Sequence, residues 1–158
     1  ATHAREDIPQ RMQASASVPF EICETLGSTR AVYGWLKGRL QEVTERHPTL
    51  PVMLVVHGTT HYTEPAEQLE RIAAALRSDL GREVFATNHL GEPHYQAISG
   101  EHPYIVQRLF FTDGYLAKKI GVWFENNRPQ DVLLEQLLDA EAVHAALKER
   151  LEDAGCIR

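Results

Sequence analysis

The chain has 158 residues, of which 43% are hydrophobic and 24% charged, with a formal net charge of −6 at pH 7. That length and composition support one ordinary globular core. An acidic balance without a lysine or arginine cluster argues against nucleic acid, whose binding draws most of its affinity from phosphate neutralisation. Cys23 and Cys156 have no spacing that suggests a zinc ribbon or a disulfide framework, and no apolar segment approaches the length of a membrane span. A reducing cytoplasmic setting is expected.

Residues 1–27 carry no periodic apolar pattern and read as a mobile tail. They lack the apolar core of a signal peptide, and the first residue is not methionine, which points to a trimmed chain or a fragment. Residues 28–50 form an extra helix and linker, in which Val32, Trp35, Leu36, Leu40 and Val43 make one stripe from Ser28 to His47 and Pro48 ends it. Residues 51–158 then read as an α/β domain. Its first strand, PVMLVVHG, is a continuous apolar run of the kind covered on both faces of a sheet. A helix follows, with Leu69, Ile72, Ala73, Leu76 and Leu80 on one face, Thr63 or Glu64 at its start, Pro65 in its first turn and Gly81 at its end.

Further strands are expected at Glu83–Asn88, Tyr104–Phe111 and Val132–Glu135, and helices at Gly114–Asn127 and Asp139–Ala154. The last helix places Ala140, Val143, Leu147 and Leu151 on one face. Residues 93–103 leave room for only a turn or two between strands. Repeated strand-helix alternation means a four-stranded parallel sheet with right-handed crossovers and helices on both faces.

In open α/β sheets ligands bind beyond the carboxyl ends of the strands. With the first strand central, three such ends lie side by side and carry His57, Asn88-His89 and Thr112-Asp113. Two imidazoles and a carboxylate suit Co, Ni, Zn or Fe, and neutral imidazole serves equally as a proton acceptor near pH 7. Asp113 before Gly114 also suits a turn or a helix cap. His61 and His94 could extend the site, but both fall in expected polar loops, where histidines are mostly solvated, and His3, His47, His102 and His144 have no evident partner.

These residues carry a resemblance. VMLVVHGTTHYTEPAEQLERIAAALRSDLGREVF is similar to the opening of the small sirohydrochlorin chelatase family, the class II chelatases that include the cobaltochelatases, whose first strand ends in His-Gly-Ser before a helix rich in Ala, Leu and Glu. LGEPHYQAI at 90–98 resembles the family's Glu-Pro segment, LFFTDGYLAKKI at 109–120 its third strand end, and LLDAEAVHAALKERLEDAG at 137–155 its closing helix. The likeness implies strand order 2-1-3-4 and insertion of Co²⁺, Ni²⁺ or Fe²⁺ into a modified tetrapyrrole without ATP, so no nucleotide is expected. It makes His57 the residue that binds incoming metal and accepts pyrrole protons. The family's second histidine follows the glycine after strand three, where this chain has Tyr115-Leu116; His89 at the end of strand two is the candidate replacement ligand. Thr59, Glu92, Asp113 and Tyr115, in the matching segments, are the candidate substrate-binding residues. Three functions are open: a metal chelatase, a lyase acting on a tetrapyrrole or another small metal-binding molecule; a metal- or tetrapyrrole-holding module; or a different biosynthetic reaction using His57 as acid or base. Because the family's sites are built from two such domains, and Trp35 and Trp123 add apolar surface to cover, a homodimer or a second chelatase-like partner domain is expected.

Overall fold

A computed structural model describes residues 6–20, 22–98, 100–136 and 140–156. Helix α1 (Ile8–Ser15) lies within the segment read as a tail, and none of its residues is buried. After it come α2 (Arg30–Arg46), β1 (Val52–Gly58), α3 (Glu64–Leu80), β2 (Val84–Leu90), β3 (Ile105–Arg108), α4 (Tyr115–Asn127), β4 (Val132–Leu133) and α5 (Ala140–Asp153). The four strands form one parallel sheet in the order β2-β1-β3-β4, as expected. Strand β3 is shorter than its apolar run and β4 has only two residues. The expected start of the last helix at Asp139 lies outside the described residues.

Side chains that alternate along β1 explain the layers. Val52 and Leu54 pack with Leu36, Leu40, Leu76 and Ile105 under α2 and α3. Met53 and Val55 face the other way and pack with Tyr95, Val106, Ile120 and Phe124 under α4. Trp35 and Trp123 are both packed against these cores, so each finds cover within its own chain. Thr29 caps α2 by accepting the Val32 N–H, and Gly81 ends α3 in the left-handed region at φ 62°. Thr63 sits at the cap position of α3 without a side-chain cap bond.

One expectation is met and one needs correction. The β2 to β3 connection has the short turn its length allowed, a 3₁₀ turn, Tyr95–Ala97, whose Tyr95 plugs the α4-side core at 1% exposure. Helix α5 buries Ala142 and Ala146, while Leu147 and Leu151 are 44% and 43% exposed. The reason is its neighbour: α5 packs beside α2, where small residues permit close approach, and Ala146 meets Val32 there. The Glu149 carboxylate fixes this contact by accepting the Arg30 and Ala31 N–H groups at 2.9 and 3.0 Å. Those backbone bonds, led by that from Arg30, hold its carboxyl below the usual range.

Candidate functional site

The register that sets Val56 opposite Asn88 and Gly58 opposite Leu90 brings His57 alongside His89. Their ring centroids are 6.4 Å apart, edge to face. Gly58 makes this closeness possible. Its φ is 69°, and a Cβ there would stand 2.1 Å from the Leu90 carbonyl oxygen and 2.8 Å from the Asn88 Cβ.

The two imidazoles are prepared differently. His57 is exposed, and its Nδ1 lies 2.8 Å from the Gly58 carbonyl oxygen. A carbonyl only accepts, so Nδ1 carries the hydrogen and Nε2 keeps a free lone pair, the tautomer that metal-ligating histidines adopt through such backbone bonds. His89 is half-buried and its Nδ1 has no hydrogen-bond partner. Burial first, then the charges of Lys119, His94 and His57, push its pKa below the ordinary 6.5. His89 is therefore held in its uncharged form more readily than an ordinary histidine.

This shift has a measurable consequence. Protons prefer the unfolded chain at His89, so its contribution to stability is complete above the ordinary histidine pKa and lost as pH falls through the lower folded value. In urea titrations, wild type is expected to lose more stability than His89→Gln between about pH 7.5 and about pH 5. Equal losses would mean that His89 is not buried in this way.

The chain after β2 turns back at once. The Asn88 N–H donates to the Pro93 carbonyl at 2.8 Å, its side-chain amide donates to the Glu92 carbonyl at 3.1 Å, and a parallel bridge pairs Asn88 with His94. His94 thereby stands 5.9 Å from His89, centroid to centroid, and is half-buried. Of the two loop histidines that could extend the site, His94 is thus brought beside His89. The turn signals Gly91 and Pro93 in the sequence are the trace of this tight return.

The other expected site residues divide. Thr59 lies beside His57, and its hydroxyl accepts the His61 N–H at 3.2 Å. Glu92 spends its carboxylate on the His94 N–H at 3.1 Å and borders a small cavity of about 450 Å³ that Thr59 shares. Asp113 pairs with Lys118 at 3.4 Å rather than with either histidine, and the cap position of α4 is Gly114, with no side-chain cap bond. Tyr115 begins α4 and is 81% exposed. Leu116 packs against the α4-side core. Among the described residues, no group of three metal-ligating side chains forms. The arrangement is an open pair of imidazoles on adjacent strand ends.

A cavity of about 730 Å³ opens at the carboxyl ends of β1 and β3, between the first turns of α2 and α3. Val32, Leu36, Leu69, Ile72, Leu109 and Phe111 give it mostly apolar walls, and His57, Gly58 and Thr59 form its edge toward the histidine pair. Its size is in the range of small-molecule sites.

The fold is similar to that of two solved SirB structures. SirB from Bacillus subtilis with Fe³⁺ superposes with a TM-score of 0.78 at 17% identity, over 97% of this chain and 66% of that one. SirB from Bacillus subtilis subspecies spizizenii in complex with cobalt superposes with a TM-score of 0.72 at 19% identity, over 97% of this chain and 64% of that one. The chain thus spans about two-thirds of the length of these structures. No family model and no curated protein matches it. No helix among the described residues is long and apolar enough to cross a membrane.

Proposed function

We propose that the protein is a chelatase-like enzyme that takes up a divalent ion, Co²⁺, Ni²⁺, Fe²⁺ or Zn²⁺, on His57 and His89 and passes it to a tetrapyrrole or another small metal-binding molecule. The observation that carries this reading is the pair of imidazoles on adjacent strand ends, 6.4 Å apart, with His57 Nδ1 engaged by the Gly58 carbonyl and its Nε2 left free. The fold shared with SirB structures holding Fe³⁺ and cobalt supports it. Metal insertion then becomes an exchange of equal charge: the ion leaves two imidazoles for the ring nitrogens, two pyrrole N–H bonds break, and each vacated imidazole accepts one proton. His89, with its lowered pKa, returns its proton to water readily. A second copy, or a second domain of this kind, is proposed to complete the wall of the site, and light scattering at micromolar protein reads the dimer.

The direct test is a Co²⁺ titration followed by addition of sirohydrochlorin. One equivalent bound, and a change in the absorbance spectrum on mixing, supports the reading; protein that binds no Co²⁺ sinks it.

A second reading rests on Leu116, an apolar side chain packed in the core where the resemblance leads one to expect an imidazole. On that reading the scaffold holds a metal or tetrapyrrole without turnover, or runs another reaction with His57 as acid or base. Leu116→His separates the two. For a chelatase with a depleted ligand set it is expected to raise Co²⁺ affinity by about tenfold, whereas unchanged affinity and turnover favour the diverted scaffold.

A further inference from the structure

A cavity between the first turns of two helices ordinarily suits an anion, because the leading N–H groups of a helix lack partners and carry its positive end. The cavity of about 730 Å³ between α2 and α3 is built against that use. The Arg30 and Ala31 N–H groups donate to the Glu149 carboxylate at 2.9 and 3.0 Å, the Val32 N–H to the Thr29 hydroxyl at 3.3 Å, and the Tyr33 N–H to the Thr29 carbonyl at 3.2 Å. On α3, Pro65 has no N–H to offer. None of the lining residues is acidic, and the one Lys or Arg among them, Arg30, spends its Nε on Glu149 with its side chain 86% exposed. The hydroxyls of Ser28, Thr29 and Tyr33 are engaged as well, donating to the Thr25 carbonyl, the Leu26 carbonyl and Asp79. The wall left for a ligand is apolar. Two half-buried polar groups interrupt it: the Gln68 amide, which has no partner among the described residues, and the Thr59 hydroxyl, which accepts the His61 N–H and keeps its own hydrogen to donate.

The cavity also lies on the opposite face of the sheet from the histidine pair. Side chains alternate along β1: Val56 packs with the core under α2 and α3 and Val55 with the core under α4, so His57 projects on the α4 side. The His89 ring is on that side too, 6.0 Å from Tyr95 of the same core. His57 therefore borders the cavity while its ring is directed to the other face.

We propose that this cavity binds a neutral, largely apolar small molecule with one hydrogen-bonding group, met by Gln68 and Thr59, at a site separate from the histidine pair. A charged ligand would be buried there without a partner, at a cost that apolar contacts do not offset. The site does not rest on the metal reading. Two dyes that share one aromatic body test it: phenylnaphthylamine, which is neutral, and anilinonaphthalene sulfonate, which adds an anionic group. Fluorescence titration of wild type is expected to show one equivalent of the neutral dye bound in an apolar setting, and the sulfonate held at least about tenfold more weakly. Ile72→Glu, which places a carboxylate in the wall, is expected to weaken the neutral dye by at least about tenfold. Phe111→Ala, at the partly exposed end of the wall, is expected to weaken it by about fivefold, and decides the test should a thermal melt show Ile72→Glu unfolded. Gln68→Arg, which adds a cation, is expected to strengthen the sulfonate by about tenfold and leave the neutral dye within a few-fold. Saturating Co²⁺ and His89→Ala, both acting on the other face, are expected to leave the neutral dye within a few-fold. No binding of the neutral dye by wild type, a sulfonate bound equally or more tightly, unchanged affinity in folded Ile72→Glu and Phe111→Ala, or displacement of the dye by Co²⁺ would each overturn the site. Affinity for the neutral dye that falls as protein concentration rises would seat a second copy in the cavity and overturn it likewise. Protein that binds the dye as expected but no Co²⁺ would remove the metal reading and leave this site standing.

Discussion

Replacing His57 with alanine is expected to lower Co²⁺ affinity by at least about tenfold to a hundredfold, the loss known even for groups that merely support a metal ligand. The fold should not notice. His57 is exposed, and its side-chain hydrogen bond is to the carbonyl of the next residue, so the contact removed between elements is the loose edge-to-face one with the His89 ring. Surface changes of that kind move stability by about 0.5 kcal/mol or less. Isothermal titration beside a thermal melt separates the two readouts. His89→Ala is expected to show a comparable loss of affinity if the pair is the site. Should His57→Ala keep full Co²⁺ binding, the strand-end site would have to be given up.

The largest structural effect is expected at Gly58. An alanine Cβ there would collide with a backbone oxygen at 2.1 Å, and no side chain can swing aside to relieve it. The residue also sits in the left-handed region that alanine avoids. Relief requires β1 and β2 to part at the point where Gly58 faces Leu90. We expect a loss of about 2–4 kcal/mol, which for a chain of this size lowers the melting temperature by about 5–15 °C. Because that point also sets the spacing of the two histidines, Co²⁺ binding should fall along with it. A variant that melts like wild type would mean that the two strand ends do not approach this closely.

The contrast between these two neighbours illustrates what the sequence discloses. The apolar run before His57 and the three- and four-residue spacing after it were enough to place a histidine at a strand end and to order the following helix, because both signals are local. The partner of a face is not local. Leu147 and Leu151 fall on the expected stripe of α5, but that helix lies beside α2 and buries Ala142 and Ala146 instead. Periodicity specifies that a helix has a narrow and a bulky side; the neighbour decides which is covered. The same holds for His94. Its place depends on a turn of three residues that returns the chain to Asn88, and on a buried tyrosine that fills the α4-side core. Neither follows from pattern, since each is fixed by contacts between β2, its outer edge and α4. Pairing of Asp113 with Lys118 belongs with these, since residue type alone does not name a partner.

The aromatic plug of the α4 face gives the molecule its own optical gauge. Trp123 touches Tyr95, and Tyr95 lies 6.0 Å from His89, so one indole is two rings away from the histidine pair. Trp35 sits on the other side of the sheet, under the Arg39 guanidinium. An ion with an open d shell at the pair would drain emission from the near indole and spare the far one, whereas closed-shell Zn²⁺ would dim neither by that route. Occupancy can thus be read from the protein's native light, without a label and without turnover.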